Sequence, residues 1–509
     1  MPDMLLIFPP VAKACEPPAG IARLAAALHV HALPCRLLDA NLEGQLWLLE
    51  QPPNVSDTWT RRAFKGRADN LASLRDQETY RIPDRYRRAV SDLNRLLAVS
   101  SLHHSTTVGL SDYQHSTLSP LRSADLIASA EQPELNPFYP FFSQRLPELL
   151  DGIGTVGISL NYLSQALPAF AMIGFIRKRF PDRKIVLGGG LVTSWMQRPG
   201  WRNPFKELID HMIAGPGELP LLEILGAETA PKHHITPDYS ALPLRKYLSP
   251  GLVLPYSAAG GCWWNRCTFC PERAEGNNYR PIAPELVLTD LKLLTEKTGP
   301  ALIHLLDNAI SPALLRTLAD DPPGPPWYGF TRVDEQLADP DFCMALKRSG
   351  CIMLKLGLES GDQGVLERMQ KGVSLDTASR VLSNLNQAGI AVYCYLLFGT
   401  PGETEVEARR TLDFVVRHHR AISFLNLAIF NMPLCGDEAT EYGTEPFYTG
   451  DISIYTAFRH PDGWDRNKVR RFLEREFRRH PAVAAIIRND PPQFTSNHAP
   501  FFNRMNLGV

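Results

Sequence analysis

Short apolar runs alternate with helical periodicity through the N-terminal part of the chain. After the first run, Ile21, Leu24, Ala25 and Leu28 recur at the spacing of an amphipathic helix. Five of the apolar runs have the length of single strands. These are Met4–Phe8, Cys35–Leu38, Val156–Leu160, Lys184–Leu187 and His211–Ala214. The alternation predicts an α/β fold, here a Rossmann-like domain with a parallel sheet and a ligand crevice at the carboxyl ends of its strands.

A second series of strand and helix units follows. The apolar stripe of Ala378, Val381 and Leu382 marks one of its helices, which is expected to begin after Ser374 and to end at Gly389. The predicted strands are Val253–Ser257, Ala301–Leu306, Trp327–Thr331, Ile352–Leu358, Ala391–Phe398 and Ser423–Phe430. Six such units predict a partial (β/α)6 barrel, whose active site would lie at the carboxyl ends of the strands.

These two series divide the chain into parts. We expect an N-terminal domain over residues 1–236, a linker over 237–247, the partial barrel over 248–434 and a C-terminal extension over 435–509. Residues from about 46 to 142 interrupt the alternation with helical stretches rich in Arg and Tyr. They are interpreted as an insertion that packs over the sheet, either toward the ligand or as solvated helical cover.

Composition narrows the possible functions. With 509 residues, of which 44% are hydrophobic and 21% charged, the chain is expected to fold into two or three globular domains. Its formal net charge of -1 argues against a dedicated nucleic-acid binder. A group of arginines late in the chain is more typical of a solvated helix face than of a basic patch. These are Arg470, Arg471, Arg475, Arg478 and Arg479.

Cysteine use and hydropathy predict a cytoplasmic protein. The nine cysteines are an odd number and mostly scattered, which is not the pattern of a disulfide framework. The apolar run at Met4–Phe8 is too short for a signal peptide, so no export is expected. The stretch Gly152–Ile176 contains no charged residue, but Asn161 and Pro168 interrupt it. It is therefore interpreted as strand, loop and helix, without a membrane span.

Cys262, Cys267 and Cys270 fall within nine residues, directly after the first predicted barrel strand. Three thiolates are one fewer than a closed four-iron cluster or a structural zinc site needs, so a cluster held by them would keep one iron open for a ligand that is not protein. The alternative is three incidental thiols or a zinc knuckle without its fourth ligand. Cysteines seldom cluster by accident in a reducing compartment, which favours a catalytic cluster with an open iron over these alternatives.

The cysteine segment resembles the cluster loop of radical S-adenosylmethionine (radical SAM) enzymes, which is spaced C-x3-C-x2-C with an aromatic residue before the last cysteine. Phe269 occupies that aromatic position. The first gap is longer by one residue and is interpreted as a lengthened loop. It holds Trp263, Trp264, Asn265 and Arg266. The resemblance covers roughly residues 252–433 and implies a [4Fe-4S] cluster held by the three cysteines, with SAM on its open iron.

The resemblance also implies SAM contacts at the ends of later strands. Asp307 and Asn308 match the segment that usually receives the amino group of SAM. Glu359 and Ser360, in Gly357-Leu-Glu-Ser-Gly361, would meet the ribose hydroxyls or the methionine carboxylate. Gly399 and Gly402 would let backbone approach the adenine. Each position also has a structural alternative, such as a helix cap, an ion pair or a plain turn.

The N-terminal domain resembles the cobalamin-binding domains that precede the barrel in one radical SAM subfamily. Glycines and small residues at its strand ends would make room for the nucleotide tail of cobalamin. They are Ser159, Gly188, Gly189, Gly190, Gly215 and Gly217. The D-x-H-x-x-G signature, which supplies a histidine to cobalt in other cobalamin proteins, is missing, so no histidine ligand is proposed. The same absence also fits a domain that has lost its cofactor.

Together, the two resemblances imply reductive cleavage of SAM to a 5'-deoxyadenosyl radical and cobalamin-dependent methylation of an unactivated carbon. The expected partners are a small-molecule or natural-product substrate and an electron donor such as flavodoxin or ferredoxin. Two alternatives stay open at this point. One is a radical cyclase, rearrangement or oxidation enzyme with a vestigial cobalamin domain. The other is a cofactor-binding sensor without turnover.

Overall fold

The computed structural model describes residues 4–53, 57–227, 234–445, 450–492 and 498–503. The chain divides into two compact units, the first of which runs to Val253 while the second begins at Leu254. Two short segments from the last part of the chain also belong to the first unit. Within the described residues, no helix is long and apolar enough to cross a membrane.

A five-stranded sheet forms the core of the first unit. Its strands are β1 (Met4–Phe8), β2 (Cys35–Asp39), β3 (Thr155–Ser159), β4 (Lys184–Gly188) and β5 (His211–Met212). They lie in the order β2-β1-β3-β4-β5, and every neighbouring pair is parallel. This confirms the predicted Rossmann-like α/β fold. β5 ends before the predicted Ala214, because Gly215 (φ +74°) turns the chain away from the sheet toward the next helix.

The helices of the first unit lie between the strands of this sheet and within the predicted insertion. They are α1 (Ala19–Val30), α2 (Ala40–Glu50), α3 (Thr58–Lys65), α4 (Arg67–Arg75), α5 (Gln77–Tyr80), α6 (Pro83–Ser101), α7 (Ser123–Glu131), α8 (Tyr139–Leu150), α9 (Leu163–Arg179), α10 (Gly190–Met196) and α11 (Glu218–Ile224). The charge-free stretch after Gly152 is β3, a loop and α9, as predicted. α9 is buried continuously from Gln165 to Ile176, which explains why its sequence is apolar on every face.

The predicted insertion is mostly helical. α3 and α4 pack on α6, whose buried face includes Tyr86, Leu93 and Leu97. Between α6 and α7 the chain forms a short hairpin of Thr106–Val108 and Tyr113–His115.

Six strands form the sheet of the second unit. They are β6 (Val253–Tyr256), β7 (Leu302–Leu305), β8 (Trp327–Thr331), β9 (Cys351–Glu359), β10 (Ala391–Phe398) and β11 (Phe424–Ile429). Their order is β11-β10-β9-β8-β7-β6, so each strand lies beside its predecessor in the chain. β7 to β11 pair in parallel. Since β6 and β11 are the two edges of this sheet in the described part of the chain, the arrangement is an open barrel, in agreement with the predicted fold.

The helices of the second unit lie between and after these strands. They are α12 (Pro271–Ala274), α13 (Pro284–Thr298), α14 (Pro312–Asp320), α15 (Pro340–Arg348), α16 (Gln363–Arg368), α17 (Leu375–Gln387), α18 (Glu405–His418), α19 (Glu438–Glu441), α20 (Arg466–Phe472) and α21 (Pro481–Asn489). The Ser374 side chain caps α17 by accepting a bond from the Thr377 amide, as expected. The carboxyl ends of the strands therefore open onto one set of loops, which includes the cysteine segment.

Candidate active site

The cysteine loop runs from the end of β6 to α12, and the backbone holds its shape. Gly261 has φ +69°, and a Cβ atom there would lie 2.5 Å from the carbonyl oxygen of Asn278, so only glycine fits. The Thr268 amide donates to the Met369 carbonyl at 3.0 Å, which ties the loop to the turn after α16. The backbone of the loop is therefore constrained at Gly261 and at Thr268.

The structure brings the three cysteines together. Cys267 is buried, and Cys262 and Cys270 are half-buried. Burial is the main cause that raises the pKa of Cys270 to about 11; backbone bonds oppose this increase, and the nearby Cys267 and Cys262 thiols contribute to it.

Among the residues that the structure describes, no three His, Cys, Asp or Glu side chains are arranged around a single metal position. In an iron-sulfur cluster each thiolate binds a different iron, so its ligands do not need to converge on one point. Three thiols on one loop are the ligand set of a cluster that keeps one iron open.

The lengthened gap between the first two cysteines has a structural explanation. The Trp264 indole donates to the Gln370 carbonyl at 3.0 Å. It lies against Gly372, where a Cβ atom would be 2.1 Å from the indole ring. The extra residue therefore allows a large ring to pack into the turn after α16, and the glycine in that turn makes the space.

A buried ion pair lies beside the cysteine loop. Lys371 Nζ is 2.8 Å from Glu359 Oε1, and the two side chains are only 5% and 11% exposed. A register shift in β9 between Gly357 and Glu359 places Glu359 at φ +68°, outside the regular strand geometry. The Lys371 ammonium also lies 5.6 Å from the centre of the Phe269 ring.

Sequence reasoning identified Glu359 but missed Lys371. The lysine lies in a turn, and hydrophobic periodicity does not indicate whether an isolated polar residue is buried. No local sequence pattern could therefore predict the burial of Lys371. Arg332 was missed for the same reason. It is 4% exposed, and its Nη1 lies 3.7 Å from Cys267 Sγ.

Asp307 follows β7 and faces the start of the cysteine loop. Its carboxylate accepts a bond from the Ala258 amide at 3.1 Å, and only 4% of the residue is exposed. Burial raises the pKa of Asp307 to about 6, while backbone bonds oppose the increase. Asn308 is exposed next to it. Asp307 is therefore positioned beside the loop, as its proposed role requires.

Ser360 does not join this group. It is fully buried, and its hydroxyl lies 3.2 Å from Thr411 Oγ1 and accepts a bond from the Asp362 amide. These contacts join the end of β9 to α18. The hydroxyl thus has a structural role, and we do not include it among the proposed SAM contacts.

The glycine turn after β10 borders a cavity of about 440 Å³. Gly399 has φ +78°, and Arg368 donates to the carbonyl of Gly402. Thr400, Pro401 and Gly402 form one side of the cavity, and Phe269 of the cysteine loop belongs to another. Its volume is within the range of small-molecule sites.

Glu403, at the end of this turn, is completely buried. Its Oε2 accepts bonds from the Gly399 amide and from the Trp464 indole, and its Oε1 has no partner in the described residues. Burial raises the pKa of Glu403 from 4.5 to about 8, although these two bonds lower it. The carboxyl is therefore neutral at pH 7.

This raised pKa predicts a pH-dependent stability. The contribution of Glu403 is complete below its unfolded pKa and is lost as the pH rises through about 8. Glu403→Gln mimics the neutral carboxyl, so its melting temperature should match that of the original protein near pH 5 and exceed it by several degrees near pH 9. Thermal melts of both proteins at several pH values test this. A difference that stays constant with pH would contradict the assignment.

The predicted cobalamin residues of the first unit lie together at the carboxyl edge of its sheet. Asn161 links the ends of two strands, because its Nδ2 donates to Ser159 Oγ at 3.0 Å and its Oδ1 accepts from the Gly190 amide at 2.9 Å. Thr193 Oγ1 accepts from the Gly215 amide at 2.9 Å. A Cβ atom added at Gly188, Gly190 or Gly215 would meet no atom closer than 3.7 Å. Gly217 is tighter, since a Cβ there would be 3.3 Å from the Leu24 side chain.

Gly189 differs from its neighbours. It has φ +113°, and a Cβ atom there would be 2.4 Å from the Leu160 carbonyl oxygen. This glycine is needed for the fold itself, since two backbone segments approach each other at this point. The open edge around it has the glycines and the hydroxyl and amide groups that suit a nucleotide tail.

Comparison with known proteins supports this description. The family model of the radical SAM superfamily matches residues 256–415, which contain the cysteine loop and most of the barrel. A bacteriochlorophyllide d C-12(1)-methyltransferase of Chlorobaculum tepidum is 28% identical over 174 residues, which are 33% of this chain and 38% of that protein. An anaerobic magnesium-protoporphyrin IX monomethyl ester cyclase of Rubrivivax gelatinosus is 23% identical over 272 residues, or 51% of this chain and 46% of that protein. The chain thus matches less than half the length of either relative.

Among solved structures, the radical SAM methyltransferase TsrM from Kitasatospora setae, determined with cobalamin and a [4Fe-4S] cluster, aligns with 85% of this chain and 76% of its own. The TM-score is 0.50 at 15% sequence identity, which is a likeness of fold. Residues 256–415 therefore form a domain of the radical SAM superfamily, and the chain as a whole is similar in fold to that solved structure.

Proposed function

We propose that the protein is a SAM-cleaving enzyme that uses cobalamin to methylate a carbon atom of a small-molecule substrate. The observation that carries this proposal is the buried Lys371–Glu359 pair next to a loop of three clustered cysteines. When bound, the reduced cluster supplies one electron for cleavage of SAM to methionine and a 5'-deoxyadenosyl radical, and cobalamin supplies the methyl group. The chain itself binds and orients these groups and excludes water.

In this proposal Cys262, Cys267 and Cys270 hold the cluster. Lys371 is a buried cation, which would pair strongly with the carboxylate of the methionine part of SAM. Glu359, its present partner, would accept bonds from the ribose hydroxyls, and Asp307 would accept them from the amino group.

The adenine is assigned to the cavity beside the cysteine loop. Phe269 offers a ring for stacking, and the turn that contains Gly399 and Gly402 brings backbone donors and acceptors close. Both features lie within the second unit, so they are available as soon as that unit folds.

Cobalamin is assigned to the carboxyl edge of the sheet in the first unit. Support comes from the open positions at Gly188, Gly190 and Gly215 and from the fold of TsrM, which was determined with cobalamin. No histidine of this chain is proposed as a cobalt ligand. A low-potential donor such as flavodoxin or ferredoxin would supply the electron.

A second candidate is a radical cyclase. It is favoured by the relative from Rubrivivax gelatinosus, which aligns over half of this chain and is named as a cyclase. The two named relatives point to a bacteriochlorophyllide and a magnesium protoporphyrin ester, both of them large ring compounds. We therefore propose a ring-bearing substrate under either candidate.

The test is SAM cleavage by the anaerobically reconstituted protein after reduction with dithionite. Formation of 5'-deoxyadenosine is expected, and its absence would favour a sensor without turnover. Lys371→Met should weaken SAM binding about tenfold or more, because it removes a charge-assisted hydrogen bond. Binding is measured with the cluster intact, as judged by iron content.

A matched variant separates binding from folding. Lys371→Met leaves the Glu359 carboxylate buried without its partner, which destabilises the protein. The double variant Lys371→Met/Glu359→Gln removes that penalty. If the double variant is as stable as the original protein and still binds SAM with the original affinity, the proposed contacts are wrong.

A further inference from the structure

Arg332 directly follows β8, and its guanidinium contacts a sulfur of the cysteine loop. Its Nη1 lies 3.7 Å from Cys267 Sγ, and its Nη2 donates to the Lys371 carbonyl. The residue is 4% exposed. A guanidinium that is buried in this way has exchanged its water contacts for the cysteine, the turn and the aromatic rings around it.

Two tryptophans hold this guanidinium in place. The carbon at its centre lies 4.2 Å from the centre of the Trp264 ring and 5.6 Å from that of Trp263. Cation–π contacts of this kind gain strength when they are desolvated. Both tryptophans belong to the lengthened gap of the cysteine loop, so the longer loop accounts for the fixed position of the guanidinium.

The position of Arg332 has an electronic consequence for a cluster bound to Cys267. Reduction adds a negative charge to the cluster, and a nearby cation favours the reduced state because their attraction is weakly screened in a buried site. An N–H donor aimed at a ligating sulfur acts in the same direction, since hydrogen bonds to the sulfurs help to set the cluster potential.

We propose that Arg332 is a positioning residue that raises the reduction potential of the cluster, and that Trp264 holds Arg332 against Cys267. This inference rests on the proposed function, because it needs a cluster on the three cysteines. It concerns the ease of reduction of that cluster and is independent of the substrate and of cobalamin.

The test is the midpoint potential of the reconstituted full-length protein without SAM, measured by redox titration and followed by electron paramagnetic resonance. Arg332→Met removes the charge and the donors but keeps the length of the side chain. It should make one-electron reduction at least tenfold less favourable, which is a decrease of about 59 mV. Arg332→Lys keeps the charge and should show a smaller decrease.

The matched control is Arg380→Met. Arg380 is exposed on α17 of the same unit and pairs with Glu335 at 3.0 Å, so its removal deletes an equal charge that solvent already screens. The potential of this variant should equal that of the original protein. A decrease as large as that of Arg332→Met would show a non-specific charge effect and would overturn the proposal.

The remaining outcomes are decisive in the same way. An unchanged potential in Arg332→Met with four irons bound overturns the role of Arg332. If Arg332→Met assembles no cluster, the potential of Trp264→Leu is measured instead, because this variant keeps the arginine but removes its aromatic support. A lowered cluster potential in Trp264→Leu supports the proposal, and an unchanged potential overturns it. If the original protein itself binds no cluster, the proposed function fails as well.

Discussion

Replacing Cys262, Cys267 or Cys270 by Ala is expected to abolish the cluster and all formation of 5'-deoxyadenosine. Each cysteine would hold a different iron, so the loss of any one thiolate removes a ligand that the cluster needs. The measurement is the iron and sulfide content after anaerobic reconstitution, together with product analysis after reduction. The original protein should hold four irons and four sulfides.

Cys343 and Cys351 are the matched controls. Both are buried outside the cysteine loop, where Cys343 Sγ donates to the Leu337 carbonyl and Cys351 Sγ to the Met353 carbonyl. Cys343→Ala and Cys351→Ala should keep the full cluster. Retention of iron by a triple variant of the loop, with loss of iron in these controls, would show that the cluster assignment is wrong.

The second large effect is expected in the first unit, where Gly190→Trp should eliminate bound cobalamin. Gly190 is exposed at the start of α10, and a Cβ atom added there meets nothing closer than Asn161 at 3.7 Å. An indole at this position would fill the edge of the crevice without disturbing the sheet. Iron content and SAM cleavage without methyl transfer should stay unchanged, since both belong to the second unit.

The measurement is the visible spectrum of protein that has been reconstituted with hydroxocobalamin and then gel-filtered. Gly189→Trp would be a poor test, because the close Leu160 carbonyl makes that glycine necessary for folding. Gly154→Trp is the control, since Gly154 is exposed just before β3, at the opposite end of the same sheet, with no atom within 4 Å of an added Cβ. If the original protein retains no cobalamin, the methyltransferase proposal falls and a radical SAM enzyme without methyl transfer takes its place.

The individual site residues differ in how much of their role could be predicted. The spacing of the three cysteines is typical of few kinds of site. The glycines at and after Gly399 indicate a turn, because glycine adopts backbone conformations that other residues avoid. Ser360 had a plausible position at a strand end, yet its hydroxyl is turned to Thr411. Position along a strand predicts which end of the sheet a residue occupies, whereas the direction of its side chain depends on what packs beside it.

The sequence by itself determined the α/β fold, the positions of the strands along the chain and the cysteine loop, because periodicity, glycine positions and cysteine spacing act over a few neighbouring residues. The tertiary structure decided the environment of those cysteines. Arg332 and Cys267 are 65 positions apart, and the burial of Lys371 against Glu359 requires a register shift in β9. Such contacts arise when distant segments pack together. Burial removes water from each charged group, so the group is stable there only beside a partner, and no local sequence pattern encodes which partner that is.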